Sequence, residues 1–221
     1  MPLPDFAVVD LETSGFSERR HRILQIGLVL VGADGTIRDR WSTLVALRWP
    51  MSSVGPTEVH GITRTMLRDA PALDAVLDEL GDRLDGAVLT AHNARFDGAF
   101  LARATRRRAP DDPIRSAVIS PICTLRMSRR LDPGRERSHR LGDLADHYGV
   151  PFEHAHDALA DAEATARLLP HLLVGHGITE LEHLDRFRVD PASRRRRSRW
   201  RRTPRATAGT STTGGAAAQE R

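Results

Sequence analysis

The stretch that most constrains the fold is ILQIGLVLV at residues 23–31, which is apolar at almost every position. A strand with one face in water alternates apolar and polar residues, whereas a strand covered on both faces is apolar throughout. The run therefore predicts a central strand with layers packed on both sides. A second apolar stretch, FAVVDLE, precedes it at residues 6–12, and a third strand is expected at residues 36–45, after the turn sequence GADG.

Helical and extended patterns alternate through the rest of the chain. Short helical turns are predicted within residues 56–68, and strands at residues 87–91 and 117–124. Helices are predicted at residues 72–84, 93–107, 125–131, 141–148 and 158–173. Strands that come first and then alternate with helices indicate an α/β protein, with a mixed sheet and helices on its faces.

Composition limits the class of protein. At 221 residues the chain is long enough for one substantial domain. No stretch approaches the roughly 18 unbroken apolar residues of a membrane span, so no membrane partner is expected. The start of the chain shows no secretory signal pattern, and the lone Cys123 forms no internal disulfide. These features predict a cytoplasmic protein.

Charge divides the chain into two parts. From Arg194 to Arg221 there are nine arginines and one glutamate, whereas the other 193 residues hold 24 arginines and 28 acids. We expect one folded domain at residues 1–188 and a basic, disordered tail at residues 189–221. The tail is equally well interpreted as a nucleic-acid arm with Trp200 stacking on a base, as a partner-docking segment, or as a terminus with no such role.

Carboxylates occupy positions where apolar core residues would be expected. Asp10 and Glu12 lie two apart on the first strand, so both side chains leave the same face. Asp97 lies in the helix that follows the strand at residues 87–91. Asn93 is the predicted N-cap of that helix. Gathered charges of one sign repel unless cations neutralise them, and oxygen-only ligands suit Mg²⁺ or Mn²⁺.

A third stretch, HAHDALADAEATA, adds His156 and Asp161 near the start of the longest predicted helix. Asp161 is one turn into that helix, so both side chains can point toward one cleft, and Asp157 is the predicted helix cap. A single histidine of this kind is more often a packing or surface residue. Together with the two acidic stretches, however, it indicates a phosphoryl-transfer site with a base beside a metal-bound water.

These motifs resemble those of the DEDDh 3′→5′ exonucleases, the DnaQ-like group that includes proofreading subunits of bacterial DNA polymerase III. The first motif is matched by residues 10–13, the second by residues 93–97 and the third by His156 with Asp161. Further matches are VHGIT at residues 59–63 and SHRL at residues 138–141. The resemblance implies a ribonuclease H-like fold, with a five-stranded mixed sheet flanked by helices.

The resemblance also implies roles for individual residues. Two divalent ions, Mg²⁺ or Mn²⁺, would be held by Asp10, Glu12, Asp97 and Asp161, with His156 as general base. Thr13 and the adjacent backbone would seat the terminal nucleotide, within a substrate-binding set of Leu11, Thr13, Asn93 and Phe96. Phe96 is expected mainly to pack the second motif.

The function expected from this set is 3′→5′ hydrolysis of single-stranded nucleic acid ends to nucleoside 5′-monophosphates. DNA is the expected substrate, in proofreading or repair, with a DNA polymerase as a partner to consider. Two alternatives remain open, an exonuclease for RNA or oligoribonucleotides and a non-catalytic, polymerase-associated binding module. The chain departs from many relatives at Gln25 and Cys123, neither of which belongs to the expected metal set.

Overall fold

The computed structural model describes residues 3–49, 51–84, 86–153 and 155–191. Five strands form one sheet in the order β3-β2-β1-β4-β5. β2 pairs antiparallel with β1 and β3, whereas β4 is parallel to β1 and β5 is parallel to β4. The predicted five-stranded mixed sheet is therefore confirmed. The strands are β1 Phe6–Thr13, β2 Ile23–Val31, β3 Ile37–Leu44, β4 Val88–Ala91 and β5 Ile122–Cys123.

Helices connect and cover the strands. They are α1 Thr57–His60, α2 Leu73–Arg83, α3 Arg95–Thr105, α4 Pro113–Ala117, α5 Thr124–Leu131, α6 Leu141–Tyr148 and α7 Ala158–Gly175, followed by a 3₁₀ helix at Leu181–Phe187. The strand predicted at residues 117–124 is wrong for most of its length, because only Ile122 and Cys123 are extended. Its first residue instead ends α4, which begins where the Asp112 side chain accepts the Arg115 N–H.

Two apolar cores lie on opposite faces of the sheet. In one core, the side chains on one face of β1 and β2 pack against α2, α3 and α4, and its buried members include Phe100 and Leu101. The other joins the same two strands to α5, α7 and the 3₁₀ helix, and it includes Phe187. β1 and β2 are thus covered on both sides, as the unbroken apolar run at residues 23–31 predicts.

On the face of β1 and β2 that packs against α7, the paired side chains change from apolar to polar along the strands. Apolar pairs fill the first part of this face, and polar or small residues fill the part near the end of β1. The apolar core on this face therefore stops before the end of β1, and the last side chains of the strand lie beyond it. The four pairs along it are Phe6–Val31, Val8–Val29, Asp10–Gly27 and Glu12–Gln25.

Packed structure continues to the last described residue. The Val189 N–H donates to the Pro121 carbonyl, and Pro191 is buried near Gly98 of α3. The basic tail from Arg194 onward, including Trp200, lies outside the described residues. Within the part of the chain that the structure describes, no helix is both long and apolar enough to cross a membrane.

Candidate active site

The end of β1 carries the first two carboxylates. Glu12 is 9% exposed and Asp10 is partly buried, and both follow Phe6 and Val8 on the α7 face of the sheet. Leu11 lies between them and points to the opposite face, where it is 4% exposed within the α3-side core. The strand therefore divides its last residues between an apolar core on one side and a pair of acids on the other.

Gly27 allows α7 to begin directly over β2. It pairs with Asp10, and a Cβ atom at Gly27 would lie 2.2 Å from the Ala158 carbonyl oxygen. Beside it, the Gln25 Nε2 donates to the Asp157 carboxylate (3.1 Å). Asp157 in turn caps α7 by accepting the N–H groups of Leu159 and Ala160, which confirms its predicted role. The start of α7 is thus held against the strand that pairs with β1.

The first turn of α7 and the loop before it supply the third acid and the histidine. Asp161 is in the helix, and His156 is an exposed loop residue with a left-handed backbone (φ 69°). One ligand atom from each of Glu12, His156 and Asp161 lies within 4.8 Å of the other two. The Asp161 Oδ1 is buried and has no hydrogen-bond partner within the described residues. An oxygen in that position is suited to a cation ligand.

Asp97 completes the carboxylate set from the other face of the sheet. It lies in the first turn of α3 and is 3% exposed. Asn93 is not the N-cap of that helix, because α3 begins at Arg95 after Ala94, and no side chain caps it. Asn93 is instead an exposed residue with a left-handed backbone (φ 65°), a conformation that asparagine tolerates better than most residues.

Burial and mutual repulsion perturb the acids on β1 and α3. Burial, with repulsion from Asp97, Asp161 and Glu12, raises the pKa of Asp10 well above its usual value. Burial raises the pKa of Asp97 to about 8, although the backbone N–H groups of Asp97 itself and Leu11 act to lower it. Asp10 shares one face of β1 with Glu12, and the Asp97 carboxylate accepts the N–H of Leu11, which lies between them on that strand.

The same causes act on the acids that flank them. Burial and repulsion from Asp161 raise the pKa of Glu12 to about 7. Burial raises the pKa of Asp161 to about 6, while the backbone N–H and the ring of His156 act to lower it. Four neighbouring carboxylates resist ionisation, and one has a buried oxygen with no partner among the described residues. Divalent cations would neutralise such a set.

The residues expected to contact substrate differ in how exposed they are and in what they pack against. Thr13 is 9% exposed, and its hydroxyl donates to the Gly15 carbonyl. The Phe96 ring packs between Phe100 (5.1 Å between centroids) and Phe16 (6.5 Å), so it packs the second motif as expected. Sequence reasoning missed Phe16, which is 92% exposed near the start of the loop between β1 and β2. An aromatic residue directly after the turn sequence Thr-Ser-Gly was the available signal.

Comparison with known proteins points to one family of exonucleases. The profile of the RNase T exonuclease family matches residues 7–169. DNA polymerase III PolC-type of Streptococcus thermophilus is 36% identical over 186 residues, which are 81% of this chain and 12% of that protein. The corresponding protein of Caldanaerobacter subterraneus is 34% identical over 76% of this chain and 12% of its own length. The chain thus spans about an eighth of these polymerases.

This chain belongs to the DnaQ-like 3′→5′ exonuclease family. Exonuclease X, solved in complex with 5′ overhanging duplex DNA, is 29% identical, with a TM-score of 0.62 over 82% of this chain and 98% of that one. The nuclease domain of 3′hExo, a DEDDh family member bound to rAMP, has a TM-score of 0.67 at 16% identity, over 80% of this chain and 94% of that one. The exonuclease therefore has the ribonuclease H-like fold predicted from its motifs, in a family that generally uses divalent metal ions.

Proposed function

We propose that this exonuclease removes nucleotides from the 3′ end of single-stranded DNA by hydrolysis and releases nucleoside 5′-monophosphates. The observation that carries the proposal is the convergence of Asp10, Glu12, Asp97 and Asp161, with His156 beside two of them. All five residues of the DEDDh motifs are present in the chain. That complete set favours catalysis over a non-catalytic binding module.

The residues at this site would have two functions, which are metal binding and proton transfer. Asp10, Glu12, Asp97 and Asp161 would hold two divalent ions, Mg²⁺ or Mn²⁺, which when bound supply charge stabilisation for both the attacking and the leaving oxygen. His156 would accept the proton of the attacking water as that water's oxygen bonds to phosphorus. The bond to the 3′ oxygen of the preceding nucleotide breaks, and the 5′-phosphate leaves with the terminal nucleoside. Thr13 and the neighbouring backbone would seat that nucleoside.

The comparisons support DNA as the substrate and a polymerase as a partner. The relatives at 34% and 36% identity are DNA polymerases by name, and exonuclease X was solved with DNA. We therefore propose a proofreading or repair role alongside a DNA polymerase. A primer–template assay tests this role, because a proofreading enzyme removes a mispaired 3′ nucleotide faster than a paired one, and equal rates would count against it.

The central experiment compares substrates on the full chain. End-labelled single-stranded DNA and RNA of the same sequence are incubated with Mg²⁺ or Mn²⁺, and the products are identified by mass. We expect 5′-monophosphates, with DNA degraded faster than RNA. Faster release from RNA would replace DNA with RNA as the substrate, and binding without any release under either metal would favour a non-catalytic module.

Matched variants connect the activity to the site. Asp10→Ala should reduce activity by more than about a hundredfold. Loss of a residue that only orients a metal ligand typically costs about 10- to 100-fold, and loss of the ligand itself should cost more. Asp74→Ala removes an exposed acid in the first turn of α2, and we expect nearly full activity from it. Undiminished degradation by Asp10→Ala would remove the proposed site.

A further inference from the structure

The loop between α5 and α6, residues 132–140, is folded around a buried acid. Asp132 is 6% exposed, and its carboxylate accepts the N–H groups of Glu136 and Arg137, each at 3.1 Å. The His139 ring lies beneath the loop, with Nε2 3.4 Å from the Asp132 Oδ2 and Nδ1 2.8 Å from the Ser128 hydroxyl. These buried contacts give the loop a defined shape.

His92 fixes this loop to the edge of the sheet that carries the acids. It directly follows β4 and precedes the turn into α3, which holds Asp97. The His92 Nε2 lies 3.1 Å from the His139 carbonyl oxygen, and its Nδ1 lies 3.0 Å from the Thr124 hydroxyl. A carbonyl oxygen only accepts, so Nε2 carries the proton and Nδ1 accepts from Thr124. The loop and the start of α3 therefore have a fixed relative position.

Positive charge is concentrated on this loop and on the end of α5. Residues 129–140 contain five arginines and two acids, one of which is the buried Asp132. Some arginines of the described part pair with acids, as Arg40 does with Glu163 and Arg108 with Asp112. Arg135 and Arg140 are exposed and have no carboxylate partner among the described residues. Their guanidinium groups are therefore available to an anion from outside.

We propose that Arg135 and Arg140 bind phosphate groups of the substrate strand that lie on the 5′ side of the bond being cut. This inference rests on the proposed function. A strand whose 3′ nucleotide occupies the site can leave it only in the 5′ direction, so any contact outside the site falls on upstream phosphates. A planar guanidinium matches two phosphate oxygens, and the loop that carries both groups contacts His92, which precedes the turn into the helix of Asp97.

Binding measurements on the full chain test the proposal directly. The probe is 5′-fluorescein-labelled dT12 in EDTA, followed by anisotropy between 50 and 300 mM NaCl. Arg135→Gln/Arg140→Gln should weaken binding at low salt about tenfold or more. It should also reduce the slope of log affinity against log salt by about 1.4, because each single-strand phosphate contact contributes about 0.7.

A matched pair of arginines controls for net charge. Arg106→Gln/Arg107→Gln removes the same charge from exposed residues at the far end of α3, beyond Thr105. We expect that pair to leave the salt slope of the natural chain unchanged. Equal losses from the two double variants, or no loss from the loop pair, would overturn the assignment.

A small substrate separates this inference from the proposed function. The p-nitrophenyl ester of thymidine 5′-monophosphate carries only the phosphate that is attacked, so the loop variant should hydrolyse it with Mn²⁺ at the rate of the natural chain. Its kcat/KM on dT12 should nevertheless fall. If the natural chain hydrolyses neither substrate, the proposed function is wrong. If the natural chain is active and the loop variant has an unchanged kcat/KM on dT12, only the proposed phosphate contacts are wrong.

Discussion

Asp97 shows how a residue can be unfavourable for the fold and suited to the site. Its carboxylate is 3% exposed and lies near Glu12 and Asp161, so burial and repulsion both oppose its ionised form. The backbone N–H of Leu11 offsets only part of this cost, since the pKa still rises to about 8. A buried group of this kind is typical of a site that binds cations.

Asp97→Asn should stabilise the metal-free protein at high pH. The amide keeps the shape and the acceptor oxygen that faces the Leu11 N–H, and it removes a charge that is present only above about pH 8. Near pH 3.5 Asp97 is protonated in both the folded and the unfolded chain, so the variant and the natural chain should have nearly equal stability there. At pH 9 we expect the variant to melt a few degrees higher, because about 1 kcal/mol moves the Tm of a domain this size by roughly 2–4 °C. Melting in EDTA at both pH values measures this, and a variant less stable at pH 9 would contradict it.

His156→Ala should separate proton transfer from ion binding. A general base contributes about 10² to 10⁴ in rate, so kcat on single-stranded DNA should fall by that range. The four carboxylates remain, and Mn²⁺ should therefore still raise the melting temperature of the variant. Steady-state kinetics and thermal melting, run side by side, measure the two effects. If kcat is unchanged, His156 is not the base.

At the scale of secondary structure, the position of α7 relative to β1 and β2 makes the site. Gly27 leaves room for the Ala158 carbonyl, and Gln25 holds the Asp157 cap. Asp161 follows one turn later and reaches the acids on β1. None of these contacts joins residues that are near each other in the sequence, except those between Asp157 and its own helix.

Gly27→Ala should misplace the start of α7. The added Cβ would lie 2.2 Å from the Ala158 carbonyl oxygen, which is backbone and must move. Such overpacking typically costs about 1–3 kcal/mol, and a displacement near 1 Å at a catalytic group costs up to about a hundredfold in rate. We expect a lower Tm and a kcat reduced at least tenfold, measured by melting and by DNA hydrolysis.

Gly81→Ala is the control for that substitution. Gly81 lies in α2, and a Cβ atom there would meet nothing within 4 Å. Alanine favours a helix over glycine by up to about 1 kcal/mol, so this variant should be at least as stable as the natural chain and fully active. Full activity in Gly27→Ala as well would show that α7 tolerates the added methyl group, and would refute the positioning role of Gly27.

At the scale of the whole molecule, two apolar cores support a site that is itself unfavourable. The cores cover both faces of the sheet, and the acids lie where β1 emerges between them. The protein up to residue 193 has more acids than arginines, so its overall charge does not favour nucleic acid. In the proposed function, cations at the acidic site and local arginine clusters would be the means by which this part of the protein approaches a polyanion.

Divalent ions should stabilise the protein more as the pH rises. The folded-state pKa values of Glu12, Asp97 and Asp161 exceed the ordinary values near 4, so the native state holds more protons than the unfolded state between about pH 4 and 8. The stability that these groups contribute is present below pH 4 and is lost as the pH rises through 6 to 8. Ions that replace the protons reverse this loss.

We therefore expect Mn²⁺ to raise the Tm more at pH 8 than at pH 5.5. A hundredfold excess over Kd contributes about 2.7 kcal/mol, or roughly 5–10 °C for a domain of this size. Comparing melting with and without the ion at one pH cancels the titration of His92 and His176, whose pKa values burial lowers. An equal shift at both pH values would mean that the ion binds elsewhere than at these acids.

The elements with strong local patterns were predictable from the sequence, and the irregular ones were not. The apolar run at residues 23–31, the helix at Leu141–Tyr148 and the cap at Asp157 are all found as predicted. The 3₁₀ helix at Leu181–Phe187 was missed, because its burial of Leu184 and Phe187 depends on distant partners such as α5. The strand at residues 117–124 was assigned too long, since β-branched residues there also suit the packed turn after α4.

The sequence by itself identified the candidate site residues, because acids and a histidine in three family motifs are legible without coordinates. It also determined the central strand, because only a strand buried on both faces is apolar throughout. Only the tertiary structure decided that Asp97, in the helix after β4, accepts the Leu11 N–H of β1, and that the Asp161 Oδ1 is buried without a partner among the described residues. It also placed Arg135 and Arg140 on a loop fixed to His92. The physical reason is that burial, repulsion and pKa depend on neighbours in space, which a linear pattern does not specify.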